Sequence, residues 1–181
     1  MKRIETLIFA VMIGLALVTA SGCAAPKTWV SSPEIENVSN PYYQAEFEPL
    51  KRGYEFFVSF LLSVTNKTDK NLEIDWNKTR YILNGRGYGG FVFKGIDPAE
   101  VRNSTIPPDI IPARGKFSKV IAPYRLSARA PIRDSGKTAS EASIHPGILP
   151  NGKNGIVLVV RQNGKEIVDK MMVTIEEKAV Q

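Results

Sequence analysis

The chain has 181 residues, with 24 Lys and Arg against 18 Asp and Glu and a formal net charge of +6. It holds one Cys and one His. That composition excludes a disulfide framework and a Cys- or His-rich metal centre, so stability must come from packing.

Residues 1–22 have the parts of an export signal. Lys2 and Arg3 give a positive start, diluted by Glu5, and Leu7 to Val18 is an apolar run of 12 residues. A membrane-spanning helix needs about 20 apolar residues, so this run is too short to persist as a span. The Ala20-Ser21-Gly22-Cys23 end resembles the lipobox of bacterial lipoproteins, with Ala20 where Leu is commoner. The resemblance implies a diacylglyceryl group on the Cys23 thiol, cleavage before Cys23 and acylation of the new amine. The alternative is an ordinary secretory signal cut after Ala20 or Ala25. Each buried methylene contributes about 0.8 kcal/mol, so two or three chains anchor stably where one holds marginally. Ala24 follows the cysteine, in place of the Asp that favours inner-membrane retention in Gram-negative lipoproteins. By that resemblance the expected location is the periplasmic face of the outer membrane.

Cleavage before Cys23 leaves residues 23–181, enough for one domain with its own core. Loss of Lys2, Arg3 and Glu5 lowers the net charge of +6 by one. Residues 23–41 read as a lipid-anchored tether, with Pro26, Pro33 and Pro41 among Ser, Asn and Thr. Such a stretch reaches ~55 Å at ~3.1 Å per residue. A first strand around Trp29 and Val30 is the alternative.

Residues 42–181 read as strands throughout. Tyr54, Phe56, Val58, Phe60, Leu62 and Val64 are apolar at every second position, the period of a strand with one buried face. Phe57 and Leu61 add apolar groups to the other face, which places this strand centrally. A polar turn over 66–71 follows, and Leu72, Ile74 and Trp76 resume the alternation. Tyr81, Ile82 and Leu83 break its phase, which predicts a bulge or bend near Asn77-Lys78-Thr79. Asn84-Gly85 closes that segment, Phe91-Val92-Phe93 opens the next, and Phe117 to Ile121 forms another. Gly155–Arg161 and Lys165–Ile175 are joined by Asn163-Gly164, a strong type I′ hairpin signal. Sustained helical periodicity is absent, so the expected class is all-β, a sandwich or barrel.

The run Phe57 to Ile74, with Val64-Thr65-Asn66 ending an apolar strand before a polar turn, resembles the opening hairpin of immunoglobulin-like domains in bacterial envelope lipoproteins. Trp76 is similar to the buried tryptophan on strand C of such sandwiches. The resemblance implies an immunoglobulin-like antiparallel β-sandwich of about 7–8 strands, here with a long irregular loop. It carries fold and no activity.

Nucleotide motifs fail on context. Gly85-Arg86-Gly87-Tyr88-Gly89-Gly90 matches G-x-G-x-x-G, but Phe91-Val92-Phe93 follows where a helix N-terminus is required, so it reads as a glycine-rich hairpin loop. Gly136-Lys137-Thr138 is similar to the end of a P-loop, but Pro131 occupies the first glycine's place. The sequons at Asn66, Asn77 and Asn103 fall in turns, where Asn and Thr are common. His145 precedes Pro146 in a polar loop, and no serine sits in a nucleophile elbow. Glu73 and Asp75 flank Ile74 and read as the solvated side of a strand rather than a catalytic pair. No catalytic, metal or cofactor site is expected.

The remaining uneven feature is basic. From Arg114 to Lys137 there are seven cations (Arg114, Lys116, Lys119, Arg125, Arg129, Arg133 and Lys137) against Asp134 alone. Pro131 interrupts the fourfold spacing from Arg125 to Lys137, so the segment reads as the long irregular loop with at most one helical turn. Either it is a solvated surface loop, or it contacts an anionic envelope component or another envelope protein. Aromatics are sparse there and the chain is exported, so nucleic acid is not an expected partner. The functional expectation is a lipid-anchored, non-catalytic binding or structural module. The alternative is a cell-envelope enzyme acting on glycan or peptide.

Overall fold

The computed structural model describes residues 27–53, 55–129 and 144–179. Strands dominate: β1 (Lys27–Ser32), β2 (Glu36–Ser39), β3 (Tyr43–Arg52), β4 (Phe56–Asn66), β5 (Leu72–Ile74), β6 (Arg80–Leu83) and β7 (Arg86–Gly87). After them come β8 (Phe91–Val92), β9 (Asp109–Ile111), β10 (Lys116–Pro123), β11 (Ser127–Arg129), β12 (Ile144–Pro146), β13 (Gly152–Gln162) and β14 (Lys165–Ala179). One short helix, α1 (Pro98–Asn103), lies between β8 and β9.

One sheet runs β2-β3-β4-β10-β8, and the other β1-β14-β13-β5-β9, with β6 also pairing β13 and β7 pairing β6. The order β3-β4-β10-β8 against β6-β13-β14 is the A-B-E-D against C-F-G arrangement of an immunoglobulin-like sandwich. β11 and β12 form a separate two-stranded ribbon. The count exceeds the 7–8 expected because several strands have only two to four residues, too short to show a period.

Alternation produces the core. In β3, Tyr43, Ala45 and Phe47 are fully buried while Gln44 and Glu46 are exposed. In β4, Val58, Phe60, Leu62 and Val64 are buried, as their spacing predicts, and the strand is central between β3 and β10. Phe47 stacks on Phe60 with ring centroids 4.2 Å apart. Tyr81 and Phe91 continue the aromatic contact across the two sheets. Trp76 is 2% exposed, and the turn after β5 falls at Trp76–Lys78, where the phase slip predicted a bend.

Both predicted tight turns are present. Asn84 and Gly85 have φ of 49° and 82°, and Asn163 and Gly164 have 51° and 78°, the left-handed pairs that a type I′ turn requires. Gly85 to Gly90 lies over β7 and its flanks, and β8 follows it.

Two expectations are corrected. The tether over 23–41 is, from Lys27 onward, the pair β1 and β2, which joins opposite sheets. The prolines punctuate these strands rather than extending the chain: Pro33 lies between β1 and β2, and Pro41 precedes β3. Residues 23–26 lie outside the described residues. The long irregular loop is also overturned up to Arg129. Lys116–Pro123 is a strand paired to β4 along six residues, Tyr124–Leu126 is one 3-10 turn, and Ser127–Arg129 pairs with Ile144–Pro146. Its charges obscured the period, since Lys116 and Ser118 face out while Phe117, Lys119 and Ile121 face in.

Candidate functional site

Of the seven expected basic contacts, the four whose side chains are described (Arg114, Lys116, Lys119 and Arg125) do not form one surface. Arg114 stands in the turn before β10, where its Nε donates to Asp69 Oδ1 at 2.8 Å. That bond and the charge beside it hold the Asp69 carboxyl below its ordinary range and push the Arg114 guanidinium up. Lys116 is exposed at the start of β10 and lies opposite Thr65. Arg125 is at the far end of that strand, on the 3-10 turn, with its guanidinium 5.6 Å from the Tyr88 ring centre. Eight residues of β10, at about 3.3 Å each, separate the two groups by about 25 Å. Arg129 closes β11. Arg133, Lys137 and the lipid-attachment residue Cys23 lie outside the described residues.

Lys119 is placed differently. It is opposite Leu62, on the inward side of β10, and only a quarter of its side chain is exposed. Its ammonium lies 4.1 Å from the Phe93 ring centre, 5.5 Å from Phe117 and 5.6 Å from Trp76. The same ammonium bonds Asp109 Oδ2, which also accepts from Trp76 Nε1 at 2.7 Å. Three ring faces and a carboxylate thus surround one cation between the sheets, an arrangement that offsets the cost of its partial burial. Nearby, Asn77 and Ile106 exchange two hydrogen bonds of 2.8 and 2.9 Å, which fasten the segment after α1 to the turn after β5. Lys119 is therefore a closing residue of the sandwich and not a surface contact.

The carboxylate pair is also engaged. Asp75 is 5% exposed, and its Oδ1 accepts from the Asn77 and Lys78 amides at 3.0 and 3.1 Å, so it caps the turn. Arg161 lies opposite Glu73, with nitrogens 3.6 Å from Glu73 and 3.7 Å from Asp75. Those distances exceed hydrogen-bond length, and Arg161 Nε is buried without a hydrogen-bond acceptor. Lys70, Asn71, Glu73, Arg161, Asn163 and Gly164 line an open polar groove of about 510 Å³ at this place. His145 sits in β12 opposite Ala128. It is part of the ribbon rather than of a nucleophile–base arrangement.

A second groove, of about 380 Å³, lies where β1 leaves one sheet for the other. Trp29, Pro49, Leu50 and Phe57 supply its apolar walls, and Glu34, Glu48 and Lys51 its charges. Among the described residues no group of three His, Cys, Asp or Glu could hold a metal ion, and no helix is long and apolar enough to cross a membrane.

One end of the molecule gathers cations that sequence reasoning did not connect. Lys51 and Arg52 end β3, Arg86 follows the Asn84-Gly85 turn, and Lys153 begins β13; all are exposed. Arg52 Nη2 donates to Pro146 O at 2.7 Å, which ties the end of β3 to the ribbon. Asn84 N donates to Lys153 O at 2.7 Å, which brings the glycine turn alongside. These residues come from three separate stretches of chain, so only the strand order brings them together. Comparison with protein-family models, with curated proteins and with solved structures finds no match to this chain.

Proposed function

We propose that the chain is a lipid-anchored envelope lipoprotein, held through Cys23 and facing the periplasm, whose sandwich is a binding or structural module rather than an enzyme. The outer membrane is its location on this reading, because Ala24 follows the cysteine. The observation that carries the non-catalytic part is the use made of Glu73 and Asp75. Asp75 caps a turn with its carboxylate, and both residues face Arg161. The lipid anchor is supported by the Leu7–Cys23 leader together with a sandwich that begins only four residues later, at Lys27.

Labelling cells with a palmitate analogue tests the anchor. The wild-type chain should take up label and float with outer-membrane vesicles, and Cys23→Ala should do neither. Unchanged membrane attachment of Cys23→Ala would overturn the reading. Hydrolysis of purified peptidoglycan by the wild-type chain, lost in Glu73→Gln or Asp75→Asn, would overturn the non-catalytic part.

A further inference from the structure

We propose that the end of the sandwich where β3 stops and β13 starts docks on an anionic lipid headgroup surface. The proposal rests on the lipid anchor above and adds an orientation to it.

Three observations meet at this end. The first is where the chain enters. Trp29, Val30 and Ser31 line a groove with Leu50, Lys51 and Phe57, so β1 begins beside the end of β3. Cys23 precedes Lys27 by four residues, a span of at most ~14 Å when fully extended. An acyl chain on Cys23 therefore holds this end, and no other, against the bilayer surface.

The second is charge. Lys51, Arg52, Arg86, Arg125 and Lys153 are exposed here, and β11 ends at Arg129. Among the described residues no carboxylate lies within ion-pair distance of those five. The carboxylates of this end are Glu34 and Glu48 on the groove, together with Glu55, Glu176 and Glu177, and Glu176 lies 3.8 Å from Lys178. The third is Ile148, 49% exposed between Gly147, which donates to Leu126 O, and Leu149, which donates to Phe57 O. It presents an apolar side chain within the basic field.

Cations at a headgroup surface act together with an acyl chain, each strengthening attachment about fivefold. The acyl group supplies attachment and the basic end supplies a fixed attitude. The sandwich then stands with the Asn163-Gly164 hairpin and the 66–71 turn pointing away from the membrane.

The test uses the full chain purified from bacterial membranes and reconstituted in vesicles of phosphatidylglycerol with phosphatidylcholine, or phosphatidylcholine alone. A fluorophore is placed on Asn151→Cys, at the basic end, or on Lys70→Cys, at the opposite end, with quencher on the lipid headgroups. Quenching at 151 should exceed that at 70 severalfold in anionic vesicles. It should fall in molar salt or in phosphatidylcholine while the protein stays on the vesicles. Replacing Arg86, Arg125 and Lys153 by Gln should reduce the docked population on the order of 100-fold, and replacing Lys70, Lys116 and Lys165 by Gln should not. Equal quenching at both ends, or an equal effect of both triple variants, would overturn the docking face. Release of the protein by salt, with label entering the parent chain at a free Cys23 thiol, would overturn the anchor instead.

Discussion

The Tyr43 hydroxyl donates to Asp169 Oδ2 at 2.7 Å, joining β3 of one sheet to β14 of the other. Asn40 Nδ2 donates to the same oxygen at 2.7 Å, and Asn40 Oδ1 accepts from the Tyr42 and Tyr43 amides. The turn before β3, its first residue and the facing sheet are thus locked by one carboxylate. A buried hydrogen bond to a charged group contributes about 1.5–3 kcal/mol. Tyr43→Phe should therefore lower the unfolding free energy by about 2 kcal/mol in urea at neutral pH. A change of a few tenths would show that Asn40 alone holds the joint.

Alkaline pH should unfold the protein through two tyrosines. Burial first, then the hydrogen bond and charge of Asp169, push Tyr43 up, and burial and Tyr88 push Tyr81 up. In the unfolded chain tyrosine ionises near pH 10. The stability from keeping both phenols neutral is complete below about pH 10 and is lost as pH rises toward their folded values. Melting temperature followed from pH 8 upward should drop past about pH 10. The drop should be shallower in the Tyr43→Phe, Tyr81→Phe double variant. Parallel curves would show that other groups govern alkaline unfolding.

Lys119 and Asp109 should be coupled. Each single replacement, Lys119→Met or Asp109→Asn, leaves a partly buried charge without its partner, and the double replacement leaves none. The double-variant cycle should give a coupling of about 1–2 kcal/mol in denaturant melts, with Lys119→Met alone the larger loss because three ring contacts go with the charge. Additive losses would show that the ammonium is held by the rings alone.

Gly155 should not tolerate a methyl group. A Cβ there would stand 2.2 Å from Met172 Sδ and 2.3 Å from Met171 O. The sulfur can move but the strand carbonyl cannot. Gly155→Ala should destabilise by about 1–3 kcal/mol, and adding Met172→Ala should restore only part of it. Full restoration would locate the strain in the methionine side chain.

The sequence was most legible where one residue type determines a conformation. Asn84-Gly85 and Asn163-Gly164 admit left-handed φ, and both turns lie where those pairs predict. The alternation from Val58 to Val64 is set by a single buried face and identifies the central strand. β1 and β2 were less legible because each is short, half-buried and bounded by proline. Helix α1 is only six residues long and shows no period. Its signal was the cap: Asp97 accepts from Ala99 N, Glu100 accepts from Asp97 N, and Pro98 fills the first turn. Among the candidate contacts, local charge density grouped Arg114 with Arg125, which stand at opposite ends of β10, whereas strand order brings Lys51, Arg86 and Lys153 to the end where Arg125 stands. Lys119 was hardest, because a cation on an inward position looks like a break in the pattern until Trp76, Phe93 and Asp109 are seen around it.

β1 and β2 follow one another in the chain yet pair with different sheets, β1 with β14 and β2 with β3. A pull on the N-terminus is therefore shared between the two halves of the molecule from its first dozen described residues. β1 is strained first, against a neighbour that runs as far as Ala179, and the crossing at Pro33 passes tension to the opposite sheet before β3 is reached. The β1–β2 pair is thus a mechanical clasp, and detaching it would loosen both sheets rather than peel one strand from an otherwise intact body.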